Sequence, residues 1–156
     1  MKTSLSALAL GIAVAFGAPA MASNTATVGQ TGYNNDASIT QAYNDSGMSS
    51  ISQNGTYNIA KSNQQGNDSA TSHITQSDYN NFADVDQTHN WSADSTVMQD
   101  GTYNIAKVKQ WDGCDLSSTV SQTGYNNYAN VSQTGWHQTA TATQVGTYNV
   151  ANISQK

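Results

Sequence analysis

The side chains that recur at fixed spacing and could do chemistry are carboxamides. Glutamine stands at Gln30, Gln53, Gln76, Gln99, Gln122 and Gln144, and again at Gln41, Gln64, Gln87, Gln110, Gln133 and Gln155. Between each pair lies an asparagine, at Asn35, Asn58, Asn81, Asn104, Asn127 and Asn149. A carboxamide carries two N–H donors and a carbonyl acceptor, so its chemistry is simultaneous donation and acceptance of hydrogen bonds. The titratable residues offer no competing arrangement. His73, His89 and His137 match no metal-ligand spacing with Cys114 or the aspartates. The glycine-aspartate calcium repeat is absent, and no nucleophile–base pair or paired carboxylate stands out. No enzyme activity and no cofactor are expected; the three histidines are read as solvated turn or outward residues.

These amides belong to one skeleton, Q-x-G-x-x-N-x-A-x-[hydrophobic]-x-Q, present six times at a spacing of 23 residues four times and then 22. A fixed period in this range, carried by nearly the whole chain, indicates stacked equivalent units. Before the first Gln the pattern has the period-two parity of a strand. Val28, Ile51, Ile74, Val97, Val120 and Ala142 lie two residues before it, and Ala26, Ser49, Ser72, Ser95, Ser118 and Ala140 four before. This small or β-branched face is the candidate interior. After the Asn column come Ala37, Ala60, Ala83, Ala106, Ala129 and Ala151, then Ile39, Ser62, Val85, Val108, Val131 and Ile153, in which only Ser62 departs from the hydrophobic type.

Between the two strands the sequence predicts a tight four-residue reversal with Gly at its second position, at Gly32, Gly55, Gly101, Gly124 and Gly146, replaced by Asp78 in one unit. Gly reaches positive φ without steric cost, and Asp tolerates it. The turns between units, such as Asn44-Asp45-Ser46-Gly47 and Trp111-Asp112-Gly113, are polar and rich in turn formers. The fold expected is therefore all-β, a β-solenoid of six stacked strand-turn-strand rungs. Stacking at about 4.8 Å turns each Gln or Asn column into an amide ladder. A buried amide left without a partner costs about 1–3 kcal/mol, which favours in-register stacking.

Outward columns carry further expectations. Asp36, Ile59, Phe82, Ile105, Tyr128 and Val150 align as an apolar stripe, read as an exposed lateral contact or, equally well, as a cross-strand packing ladder. Lys61, Asp84 and Lys107 alternate in sign on successive rungs. Tyrosine alternates between G-Y-N-N or D-Y-N-N at Tyr33, Tyr79 and Tyr125 and G-T-Y-N at Tyr57, Tyr103 and Tyr148, so a pair of rungs is the expected ancestral unit. Trp91, Trp111 and Trp136 fall in inter-unit turns along one edge, where turn packing is expected.

Composition bounds the rest. Residues 1–22 have the form of a secretory signal peptide, with Lys2, an apolar run from Leu5 to Phe16, and Ala20-Met21-Ala22 at the cleavage site. No segment has the run of about 20 apolar residues that a membrane-spanning helix needs. Removing 22 of the 156 residues leaves 134, residues 23–156, with Leu116 the only leucine and Phe82 the only phenylalanine. A conventional core cannot be built from these, so backbone pairing between repeats must supply the stability. The formal charge of −5 becomes −6 without Lys2, and with no Arg and no basic stripe nucleic acid is not an expected partner. Cys114 is alone, which excludes an intrachain disulfide.

The skeleton resembles the curlin repeat of bacterial curli, the extracellular functional amyloid, over about Asn24 to Gln155. The resemblance implies inward-pointing Gln and Asn and a secreted β-solenoid subunit. Such a subunit polymerises with itself into adhesive, biofilm-supporting fibres at the cell surface, together with a nucleator subunit and an outer-membrane secretion channel. Family subunits carry Ser six residues before the first Gln, where this chain has Asn24, Gly47, Ala70, Ala93, Leu116 and Gln138, and it lacks their Gly-rich segment behind the leader. No capping unit is visible at either end, so last-to-first stacking of rungs is the expected contact. The last unit, from Thr134 to Gln155, has neither Lys nor Asp and favours the polymerising subunit over a nucleating one. Thr25-Ala26-Thr27 and Thr139-Ala140-Thr141 raise a less favoured alternative, a monomeric ice-binding solenoid, but Met48, His73 and Asp94 interrupt that face.

Overall fold

The structure is a computed structural model that describes residues 14–16 and 23–156. Two parallel sheets face each other. One contains β2 (Thr25–Tyr33), β4 (Ser46–Thr56), β6 (Ser69–Tyr79), β8 (Ser92–Thr102), β10 (Leu116–Tyr125) and β12 (Thr139–Thr147) in sequential order. The other contains β3 (Asp36–Ala42), β5 (Ile59–Gln65), β7 (Phe82–Thr88), β9 (Ile105–Trp111), β11 (Tyr128–Gln133) and β13 (Val150–Gln155), with the three-residue β1 (Val14–Phe16) beside β3. The chain alternates between sheets, one strand in each per rung, and makes a β-solenoid of about six turns. The leader assigned to residues 1–22 lies outside the described residues except for β1, which pairs with Thr40–Ala42.

Register follows the repeat. Gln30 pairs with Gln53, Gln53 with Gln76, and so on to Gln144, while Gln41 leads through the second sheet to Gln155. The residue missing from the last spacing is dropped from the turn after Gln133. Register is restored at once, with Cys114 opposite Trp136 and Ser117 opposite Thr139. A one-residue slip carried further would have turned every inward side chain outward.

Between the sheets run the columns Ile51-Ile74-Val97-Val120-Ala142 and Ala60-Ala83-Ala106-Ala129, with Val85, Val108 and Val131, all buried. Ser62 interrupts this column for a visible reason: its hydroxyl accepts from the Ser49 hydroxyl across the rung at 2.8 Å. In the next three rungs the facing residue is Val, and Ser72, Ser95 and Ser118 keep buried hydroxyls without a partner among the described residues. Ala26 and Ala140 occupy this column in the first and last rungs.

The reversal differs from the sequence expectation. The strands run one residue past the glycines, and only two residues link them, as Asn34 and Asn35 do between β2 and β3. The left-handed residue common to every rung is the one before the Asn column: Asn34, Tyr57, Asn80, Tyr103, Asn126 and Tyr148, with φ between 54° and 59°. The glycine column has the expected positive φ and is constrained as well by the neighbouring rung. A Cβ on Gly32 would run into the carbonyl of Gly55, one on Gly101 into that of Gly124, and one on Gly124 into that of Gly146. Asp78 escapes through a different backbone, at φ 73° rather than the 112–143° of the five glycines.

A buried hydroxyl with no partner opposes folding by about 1–3 kcal/mol. Ser95→Ala is therefore expected to raise the denaturant midpoint, whereas Ser62→Ala, which strands Ser49, is expected to lower stability by about 1–3 kcal/mol; chemical unfolding of the two variants measures both.

Candidate functional site

Each opening Gln donates one amide hydrogen to the same residue of the next rung. Gln30 Nε2 reaches Gln53 Oε1 at 2.6 Å, and the chain continues through Gln76, Gln99, Gln122 and Gln144 at 2.7–2.8 Å. From Gln53 onward the second hydrogen goes to a backbone carbonyl of the opposite sheet, Gln99 Nε2 to Phe82 O at 2.9 Å for example. The closing column repeats the arrangement from Gln41 to Gln155 at 2.7–2.9 Å. Its spare hydrogens reach carbonyls of the same rung, as from Gln87 to Thr71. Parallel in-register pairing makes this possible, because it brings each side chain beside its own copy.

The Asn column uses its other end. Asn58 Oδ1 accepts the backbone N–H of Asn81 at 2.9 Å, and Asn81 and Asn104 accept those of Asn104 and Asn127 in turn. On every rung but the last, Nδ2 reaches a carbonyl in the glycine column of the next rung, Asn58 to Asp78 and Asn104 to Gly124 for example. The linking residues between strands are thus held by side chains where no ladder bond is available. A fourth amide ladder, absent from the sequence expectations, does the same at the other edge. Asn44, Asn67 and Asn90 are buried, each accepts a backbone N–H from the next turn, and their Nδ2 groups bond Gln64, Gln87 and Gln110 carbonyls. Their separation of 23 residues was the available signal.

The tyrosines form a fifth column. Tyr33, Tyr57, Tyr79, Tyr103, Tyr125 and Tyr148 make a continuous zigzag of edge-to-face contacts, with centroids 5.6–5.9 Å apart. Rings in one register would stack face to face at about 4.8 Å, the least favoured aromatic geometry. Moving every second Tyr by one residue avoids it, and this is the physical content of the two-rung alternation. Tyr103, followed by partial burial, pushes the Tyr79 phenol above its ordinary range, and Tyr148 does the same to Tyr125.

Other expectations need correction. Ile59, Phe82, Ile105 and Tyr128 are half-buried rather than exposed, because each packs beside its neighbours in register; only Asp36 and Val150, on the first and last rungs, are open. Lys61, Asp84 and Lys107 stack in register, yet the ion pairs among the described residues are His89–Asp112 and His137–Asp115. Lys61 Nζ lies 6.0 Å from the Phe82 ring centre and Lys109 Nζ 5.0 Å from that of Trp111, since the aliphatic stem gains apolar contact there while an exposed ion pair gains little. Trp111 ends β9, whereas Trp91 and Trp136 stand 70% and 76% exposed instead of packing into their turns.

A family model described as the curlin associated repeat matches residues 22–42 and 94–135. These segments are curlin repeats. They hold the first rung and the fourth and fifth, and the other rungs keep the same register and the same ladders although Ser62 and Asp78 fall among them. Comparison with curated proteins and with solved structures gives no match.

Two outcomes follow from these columns. Gln99→Leu strands the Gln76 amide hydrogen and the Gln122 carbonyl at once and is expected to destabilise the solenoid by about 1–3 kcal/mol for each, seen in thermal unfolding. Because the Tyr79 and Tyr125 phenols are raised in the folded state, the unfolded chain loses protons first as pH climbs past about 10. Folding stability is therefore present below that value and falls above it; Tyr79→Phe should shift the loss of β-sheet circular dichroism to higher pH.

Proposed function

We propose that the chain is a structural subunit which assembles end to end, by strand stacking, into extracellular curli-like amyloid fibres that serve adhesion and the biofilm matrix. The observation that carries this reading is the polarity of the amide ladder at its two ends. On the first rung, Gln30 Oε1 is buried and has no hydrogen-bond partner among the described residues. On the sixth, Gln144 Nε2 donates to Tyr128 O and has a second hydrogen to give. The donor missing at one end is the donor in excess at the other.

The remaining columns support the same contact. Gln155 Nε2 donates one hydrogen to Thr139 O and would meet Gln41 of the next subunit. Asn149 would accept from the Asn35 backbone, as Asn127 accepts from Asn149. An even number of rungs lets the tyrosine zigzag continue, Tyr148 meeting Tyr33, and these two are the most exposed members of their column. Val28, Ala37, Ala151 and Ile153, partly buried on the end rungs, would become interior. With about ten backbone bonds at a net ~0.5–1.5 kcal/mol each, such a seam outweighs the lost freedom of an already folded subunit.

β1 lies against Thr40–Ala42, on part of the edge this seam would use. If residues 1–22 are a leader, their removal outside the inner membrane frees that edge only after export. Family resemblance adds an outer-membrane channel and a nucleator as partners. The faithful sixth unit favours the polymerising role, and a nucleator would instead stay soluble alone while accelerating another subunit.

Purified residues 23–156 in neutral buffer are expected to assemble and to give fibre reflections near 4.7 and 10 Å; a persistently soluble monomer overturns the reading. Gln30→Leu is expected to slow seeded elongation by at least about tenfold while the monomer keeps its β-sheet circular dichroism.

A further inference from the structure

Trp91 and Trp136 occupy one column of the inter-unit turn. Trp91 N–H bonds the Gly113 carbonyl, which sets Trp91 opposite Cys114, and Cys114 bridges to Trp136. The two residues therefore stand two rungs apart, a backbone separation of about 9.6 Å at the usual strand spacing, with the small Cys114 on the rung between. Together with His89, Asp112, Gly113 and Cys114 they line a cleft of about 600 Å³. We propose that Trp91 and Trp136 form a two-sided aromatic cage that binds quaternary ammonium groups of the choline class, with Asp112 as the counter-charge.

Spacing selects this ligand. With the indoles projecting at the backbone spacing of two rungs, a cation midway between them sits about 4.8 Å from each, inside the roughly 6 Å reach of a cation–π contact. A flat ring held between them at van der Waals distance needs only about 7–8 Å, so a single sugar or aromatic ring would touch one face and leave the other. A near-spherical trimethylammonium head fills both.

Charge points the same way. Asp112 lies on the cleft wall 3.9 Å from His89 Nδ1, and Asp115 flanks it 3.1 Å from His137 Nδ1. Asp45 and Asp68 continue the tryptophan column on the earlier rungs, as the backbone bonds Asp45 to Asn67 and Asp68 to Asn90 place them. The chain holds ten acids against five bases. Burial first, and then Asp115, push the Cys114 thiol up, so the floor of the cleft stays a neutral, compact group. The chain already shows the interaction elsewhere, in Lys109 over Trp111 at 5.0 Å. The proposal stands apart from self-assembly: one folded chain contains the whole cage.

Tryptophan emission of the full chain, titrated with choline and with tetramethylammonium, tests it against 3,3-dimethylbutan-1-ol, the uncharged isostere of choline. Saturable binding of both cations is expected, at least about tenfold tighter than the alcohol, and lost in Trp91→Ala and in Trp136→Ala with the circular dichroism unchanged. Cys114→Leu, which fills the gap and leaves both indoles, should also abolish it, and Asp112→Asn should weaken it several-fold. Equal binding of the alcohol, tighter binding of a neutral saccharide, or a response that survives Trp91→Ala/Trp136→Ala overturns the cage. Retention on phosphatidylcholine vesicles, blocked by free choline, assigns a membrane headgroup as the source; choline binding without retention assigns a soluble ligand.

Discussion

A carboxamide buried between two sheets must find both a donor and an acceptor, and the rest of this molecule depends on that requirement. In the interior columns the groups repeated at the right distance are the same residue one rung above and one below. Parallel, in-register pairing is the arrangement that supplies them. From this follow the fixed unit length, the narrow alanine column that lets the sheets approach, and the glycine column in which one backbone lies against the carbonyl of the next. Apolar burial is modest in such a chain; register is set by polar satisfaction instead, since a slipped rung would strand several amides together.

Stacking each residue on its own copy suits amides and harms other groups, and the sequence treats the two kinds differently. Gln, Asn and Ala are repeated without change. Tyrosines are displaced by one position on alternate rungs, so that rings meet edge to face. Within the strands, charges alternate in sign or give way to neutral residues, as in Lys61, Asp84 and Lys107, whereas Asp45 and Asp68 follow one another only in the turn between units. The exposed tryptophans are separated by Cys114, which keeps the indoles from stacking and opens a cleft between them. Invariance and alternation thus follow from one geometric fact, the single strand spacing that all columns share.

That fact made much of the fold legible from the sequence. Period and parity are enough to place the Gln and Ala columns and the register, because a strand permits only two faces and a repeat permits only one neighbour. What escaped were choices that depend on the third dimension. A second positive φ, beyond that of the glycine column, belongs in every rung to Asn34 and its equivalents, half of them tyrosines, a residue that local turn chemistry does not favour there. The Asn44, Asn67 and Asn90 ladder stops at Gly113 and so lacks the sixfold recurrence that marked the others. Lys61 and Lys109 lean over rings rather than toward Asp84 and Asp86, a decision between two weak exposed contacts that alignment of columns cannot make. The Ser49–Ser62 pair was visible only as an exception to a hydrophobic column.

The end rungs are where the logic of the interior is left incomplete. An interior amide is bonded on both sides, whereas Gln30 has an acceptor to fill and Gln144 a hydrogen to give. Val28 and Ile153 are only partly covered, while their counterparts within the stack are buried. Every rung added converts a terminal rung into an interior one and creates an equivalent terminus in its place. The drive to add another unit therefore does not diminish with length. In a globular protein satisfaction of the last buried group ends folding; here the same requirement is renewed at each step, so the physics that fixes the register within one chain also specifies how a second chain would join it.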